Sequence, residues 1–130
     1  MTQNKNQQII YKDLSYKIIG SVYDVYNQLG CGHQEKFYQK AIATALNKEN
    51  IVYKREFYSP LKYKNEKIGN YFLDFLIEDK IILEIKKGNK VSRRDIEQVY
   101  AYLKNTNLKL GLIIRFTPQS VLIKGIVNIK

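Results

Sequence analysis

A single cysteine, Cys31, a single histidine, His33, and only two prolines occur in 130 residues. One cysteine excludes an internal disulfide. Without a second cysteine or histidine at ligand spacing, a zinc site is excluded too, so packing must hold the fold. Pro60 and Pro118 lie far apart, and with 45% hydrophobic and 26% charged residues the composition is that of a globular chain, not a disordered one. No window approaches the ~18 apolar residues of a membrane span. The first ten residues, MTQNKNQQII, are polar where a secretory signal would be hydrophobic. The expectation is a cytoplasmic protein with no membrane partner. The length fits one domain over residues 1–130, with 1–12 a flexible or peripheral N-terminal segment.

Acidic residues are the scarcer charge. Twenty-two Lys and Arg against twelve Asp and Glu leave a formal charge of +10, which favours a polyanionic partner through long-range attraction and counterion release. Charge alone does not name that partner. Its distribution is more informative: Lys86, Lys87, Lys90, Arg93 and Arg94 follow directly on an apolar segment.

Leu14, Ile18, Val22, Val25 and Leu29 recur at helical spacing, and Gly30 is a natural stop. A second helix is predicted from about Gln34 to Glu49, with Glu35, Tyr38, Ile42, Ala45 and Leu46 on one face, so its inner stripe begins with a carboxylate. From Ile51 the period changes to two, and SPLKYKNEK reads as punctuation before the next strand. IGNYFLDFLI and KIILEIKK then form two strands joined by Glu78, Asp79 and Lys80. Ser92 with Asp95 resembles a capping box opening a third helix, whose apolar side is Ile96, Val99, Tyr100 and Leu103. LKLGLIIRF and VLIKGIVNI, parted by TPQS, complete the order ααβββαββ. Strands apolar on both sides imply an α/β fold, a mixed sheet flanked by helices on both faces.

A three-residue loop pairs Ile77 with Ile81. Counting outward, Phe75 opposes Leu83 and Leu73 opposes Ile85, an aliphatic and aromatic core face. Asp74 then opposes Glu84 on the other face, with Lys86 beside both and Phe72, Leu76 and Ile82 around them. Two carboxylates placed so repel, and they need a cation between them. Lys86 in a buried ion pair satisfies that requirement as well as a metal does. Convergence favours the metal: Glu35 stands in a buried stripe, and Gln98 and Tyr102 sit one turn apart on the third helix. Each also has an innocent reading, Glu35 at the positive end of its helix and Gln98 in solvent. Oxygen ligands without imidazole or thiolate select Mg²⁺ or Mn²⁺, and hence phosphodiester chemistry, with Lys86 meeting the nucleophile.

GHQEKFY, residues 32–38, resembles the signature of the GxxExxY proteins. With Asp74, EIK at 84–86 and QVYAY at 98–102, the chain is similar to a compact PD-(D/E)xK nuclease over about residues 14–116. The resemblance implies a restriction-endonuclease-like core in which Asp74, Glu84 and the Ile85 carbonyl hold a divalent ion. Glu35 would complete the metal site directly or through water, Lys86 matches the catalytic lysine, and Gln98 with Tyr102 matches the supporting QxxxY motif of RecB-like exonucleases. Leu73 stands where the family's usual proline would precede the aspartate.

His33 reads as a solvent-exposed turn residue and Cys31 as a small residue in a glycine-flanked turn, neither catalytic. Most of the eleven tyrosines and five phenylalanines fall at core-facing positions. Lys87, Lys90, Arg93 and Arg94, beside the metal site and at a helix N-terminus, suit phosphate contact. The expectation is a Mg²⁺- or Mn²⁺-dependent nuclease acting on DNA, in which a homodimer or a partner protein supplies substrate choice. The alternatives are an inactive nucleic-acid-binding module of the same fold within a larger complex, and a purely structural ion-pair cluster.

Overall fold

The structure is a computed structural model of the 130-residue chain, and residues 10–88 and 90–129 are described. Most of the predicted N-terminal segment 1–12 lies outside the described residues. Its last members do not, and Ile10 and Tyr11 pack against the core.

Helices α1 (Lys12–Leu29) and α2 (Glu35–Lys48) precede strands β1 (Tyr53–Tyr63), β2 (Glu66–Ile77) and β3 (Ile81–Ile85). Helix α3 (Arg93–Thr106) then leads to β4 (Leu110–Phe116) and β5 (Val121–Val127), so the order is the expected ααβββαββ. The five strands lie in one sheet in chain order. Only β3 and β4 run parallel, joined across α3, and the other neighbours are antiparallel. Apolar side chains on both sides of β3 and β4 require cover on both faces. Ile18, Val22 and Val25 of α1 with Tyr38, Ile42 and Leu46 of α2 pack on one face, against Phe75, Leu83 and Leu112. Val99, Tyr102 and Leu103 of α3 pack on the other, against Leu76, Ile82 and Ile113. The fold is that of a restriction-endonuclease-like α/β protein. Gly111 lets α3 approach closely: a Cβ there would stand 2.6 Å from Val99 Cγ1.

Gly30 ends α1 at φ +67°, where glycine carries no steric cost, and donates its N–H to the Tyr26 carbonyl. Ser92 caps α3 by accepting the Asp95 N–H at 3.1 Å, as expected of the capping box. Two stripe positions differ from expectation. Leu29, at the end of α1, is exposed; on α3 Tyr100 is exposed while Tyr102 is fully buried, because the face that meets the sheet runs through Val99, Tyr102 and Leu103.

Three further differences concern the sheet. SPLKYKNEK is not punctuation: β1 continues through Ser59 and Pro60 to Tyr63, and the turn is Lys64–Asn65, with φ +48° and +69°. Positive φ at both central residues suits a tight hairpin. Pro60 is tolerated because β1 is an edge strand. In the β2–β3 hairpin, Phe75↔Leu83, Leu76↔Ile82 and Ile77↔Ile81 pair as counted, but the ladder stops there, and Leu73 does not oppose Ile85. The β1–β2 ladder passes from Arg55↔Phe75 to Phe57↔Leu73, and Glu56 between them takes φ +49°. A left-handed residue breaks strand alternation. Leu73 consequently joins Leu76 on the α3 side, although strict alternation would separate them. Phe72, expected around the carboxylates, is exposed and packs on Tyr58 with ring centroids 4.9 Å apart.

Candidate active site

Asp74 and Glu84 stand where the hairpin ladder ends. Instead of a main-chain pair, the Asp74 N–H donates to Glu84 Oε2 at 3.0 Å and the Ile85 N–H donates to Asp74 Oδ2 at 2.7 Å. Each carboxylate therefore takes a strand hydrogen bond that the sheet leaves unmade, which fixes both. Glu84 is buried and Asp74 half-buried. Burial, then the nearby Asp74 charge, push Glu84 up to about 8, against hydrogen bonding from the Asp74 N–H and the charge of Lys86. Asp74 is raised as well, first by burial and further by Glu35, while the Ile85 N–H, Lys86 and Arg55 draw it down.

Lys86 Nζ lies 3.9 Å from Glu84 Oε1, an ion pair longer than a direct hydrogen bond. Its main-chain N–H bonds the Ile114 carbonyl at 2.9 Å, extending the β3–β4 ladder by one residue and anchoring the lysine to the sheet. Glu35 opens α2, half-buried, and acts on both carboxylates through its charge. Two neighbours escaped sequence reasoning. Gln39, one turn beyond Glu35, donates Nε2 to Asp74 Oδ1 at 3.2 Å. Arg55 of β1 lies over the Phe75 ring, 5.7 Å from its centroid, and its charge reaches Asp74. The i, i+4 spacing of Glu35 and Gln39 was a signal for the first; Arg55 gave none, since only strand pairing brings it there.

Tyr102 is buried under the sheet, and Glu84 acts on it electrostatically. Gln98, one turn earlier, is exposed. Lys87, Lys90, Arg93 and Arg94 are exposed around the β3–α3 loop, and Arg93 pairs with Glu97 at 3.7 Å. Behind this loop is an ion pair that the sequence did not reveal, between the buried Arg115 of β4 and Asp95 of α3. Burial works to raise Asp95, but hydrogen bonds from Ser92, with Arg115 beside it, hold its carboxyl below the usual range.

Among the described residues no group of three or more His, Cys, Asp or Glu side chains is gathered closely enough to hold a metal. Two carboxylates suffice for Mg²⁺, which keeps several waters and takes one or two carboxylates together with phosphate oxygens. The fit lies in the electrostatics: burial raises both carboxyls, Glu35 raises both further and the Asp74 charge raises Glu84, and a divalent cation would relieve all of this. Each oxygen engaged by a protein donor still has a lone pair to offer.

A mixed five-stranded sheet between helices, with Asp, Glu and Lys converging where the central hairpin opens, defines a nuclease-like fold. The PD-(D/E)XK nuclease superfamily model matches residues 12–126, and the chain belongs to that superfamily. A solved crystal structure of SSO0001 superposes with a TM-score of 0.54 at 19% identity, covering 94% of this chain. This chain spans 62% of that one, and the likeness is one of fold. No curated protein matches.

Proposed function

We propose that the protein is a Mg²⁺- or Mn²⁺-dependent nuclease that hydrolyses phosphodiester bonds of DNA. The observation that carries the reading is the backbone-tied pair of half-buried Asp74 and buried Glu84, with Lys86 Nζ 3.9 Å from Glu84. Membership of the superfamily points to a nucleic acid, and the charge of +10 to a polyanion.

Asp74, Glu84 and the Ile85 carbonyl would hold the ion, with Glu35 contributing directly or through water. A divalent cation there supplies Lewis acidity toward the phosphate and an acidified water. Lys86 orients the nucleophile and offsets negative charge growing on the phosphate in the transition state. Gln39 holds Asp74 in its rotamer, as supporting shells do in metal sites. Tyr102 and Gln98 support the site from α3. Lys87, Lys90, Arg93 and Arg94 take phosphates along the strand, setting register without reading sequence.

A binding module without turnover is the second reading, favoured by the absence of a third close carboxylate among the described residues. Thermal melting of wild type and Glu84→Ala with and without millimolar Mg²⁺ or Mn²⁺, followed by incubation with labelled DNA, separates the two. A metal-dependent rise in Tm and cleavage, both lost in the variant, support the nuclease. Salt-sensitive binding with neither supports the module.

A further inference from the structure

Beside the carboxylates is a cleft of about 250 Å³, set between the α1–α2 turn and the β3–α3 loop. Glu35, Ile85 and Lys86 form part of its wall, so whatever fills it adjoins the proposed reacting phosphate. Of its other walls, only Lys87 has a place in the reading above, as a phosphate contact. His33 and Lys87, both exposed, stand on opposite loops, and Phe116 is half-buried between them.

The walls are stiff. Phe116 stacks on Tyr38 with ring centroids 4.0 Å apart and an interplanar angle of 6°, and His33 meets Tyr38 edge-on at 5.6 Å. Tyr38 donates its hydroxyl to the Gly30 carbonyl at 2.6 Å, and His33 Nε2 lies 3.1 Å from the Leu29 carbonyl, which ties the turn to the end of α1. Gly32, at φ +100°, and Gly88, at φ +103°, keep both lips free of side chains. Among the described residues Lys87 has no acidic partner.

We propose that this cleft seats one unpaired nucleotide next to the reacting phosphate, so that the substrate is a single strand or an unpaired end, not a continuous duplex. The inference rests on the Asp74–Glu84 site being a phosphodiester site. Size argues for it: the volume falls just below the ~300–1,000 Å³ of pockets for drug-sized ligands. A base stacked within a duplex cannot enter such a recess, whereas an unpaired one enters at little cost in unstacking. The mixed lining argues for a nucleotide over a bare phosphate. Two lysines suit a phosphate group, while the Glu35 carboxylate would repel a small anion and the flat His33 and Phe116 rings suit a base.

The test is binding in EDTA, where no cleavage occurs, by anisotropy of three labelled oligonucleotides of common sequence: a single strand, a blunt duplex, and a duplex with one unpaired terminal nucleotide replaced by 2-aminopurine. The expected result is at least tenfold tighter binding of the first and third than of the blunt duplex, with altered 2-aminopurine fluorescence on binding. His33→Ala and Lys87→Ala, both at exposed positions, should each reduce that preference to under threefold. Equal affinity for blunt and unpaired ends, or a preference untouched by both variants, overturns the inference. Cleavage with Mg²⁺ on parallel samples is scored separately. Its absence with the preference intact removes the nuclease and leaves the cleft, and its presence without the preference does the reverse.

Discussion

Asp74 and Glu84 are tied through the backbone: the N–H of Asp74 donates to Glu84 Oε2 at 3.0 Å, and the residue after Glu84 donates its N–H to Asp74 Oδ2 at 2.7 Å. The exchange replaces the ladder where β2 and β3 part. It holds a buried and a half-buried carboxyl close enough for the charge of Asp74 to raise Glu84.

The pair makes metal-free stability depend on pH. Glu84 is raised from 4.5 to about 8, so the folded state binds more protons than the unfolded one between those values. Its contribution is full below pH 4.5 and is lost as pH rises through 8. The Tm of the metal-free protein should fall from pH 6 to 9, Glu84→Gln should flatten the fall, and Mg²⁺ should raise the Tm most at the alkaline end. A Tm that rises over this range contradicts the assignment.

Catalysis should fail with any of three side chains. Asp74→Asn and Glu84→Gln should abolish metal-dependent cleavage. Lys86→Ala should lower kcat by about 10²–10⁴-fold with a small change in KM, because in the proposed mechanism its ammonium would act on the nucleophile and the developing charge. Steady-state kinetics on a labelled oligonucleotide measure both.

Gln39 acts through Asp74. Its Nε2 holds Oδ1 at 3.2 Å, so Gln39→Leu should weaken metal binding or activity by roughly 10–100-fold, with little change in Tm at pH 6. Metal titration of the Tm distinguishes this from general destabilisation. An unchanged metal affinity and rate would remove Gln39 from the site.

Arg115 should be the most sensitive charge outside the site. It is 4% exposed and paired with Asp95, so Asp95→Ala strands a buried guanidinium at a cost of roughly 3–5 kcal/mol. The double variant Asp95→Leu/Arg115→Leu should recover much of that loss in urea melts. Additive losses would show that the two do not interact.

Gly111 sets the distance from α3 to the sheet. Gly111→Ala places a Cβ 2.6 Å from Val99 Cγ1 and should cost about 1–3 kcal/mol, partly restored by Val99→Ala in the same chain. Denaturant midpoints of the three variants check this.

Much of the architecture was legible along the chain because helical and strand periodicities are local. The stripe Ile18, Val22 and Val25, the Ser92 cap, the Glu78–Lys80 loop and the pairing of Ile77 with Ile81 all follow from spacing and turn chemistry. Counting from that loop brings Asp74, Glu84 and Lys86 near one another, and the structure does so too. The count failed at Leu73, because alternation holds only while the ladder holds, and a left-handed Glu56 together with the carboxylate exchange breaks it. Pro60 misled because its tolerance depends on β1 lying at the edge of the sheet, which no local pattern states.

By itself, then, the sequence determined the elements, their order and the candidate acidic and basic groups, since these depend on side chains a few residues apart. Tertiary structure alone decided that Gln39 would hold Asp74, that Arg55 would share its field, and that Arg115 would meet Asp95. It also decided that the turn at His33 would face Lys87 across a cleft. Those contacts join residues 19 to 54 positions apart, and their geometry is set by sheet register and helix docking, to which local periodicity is blind.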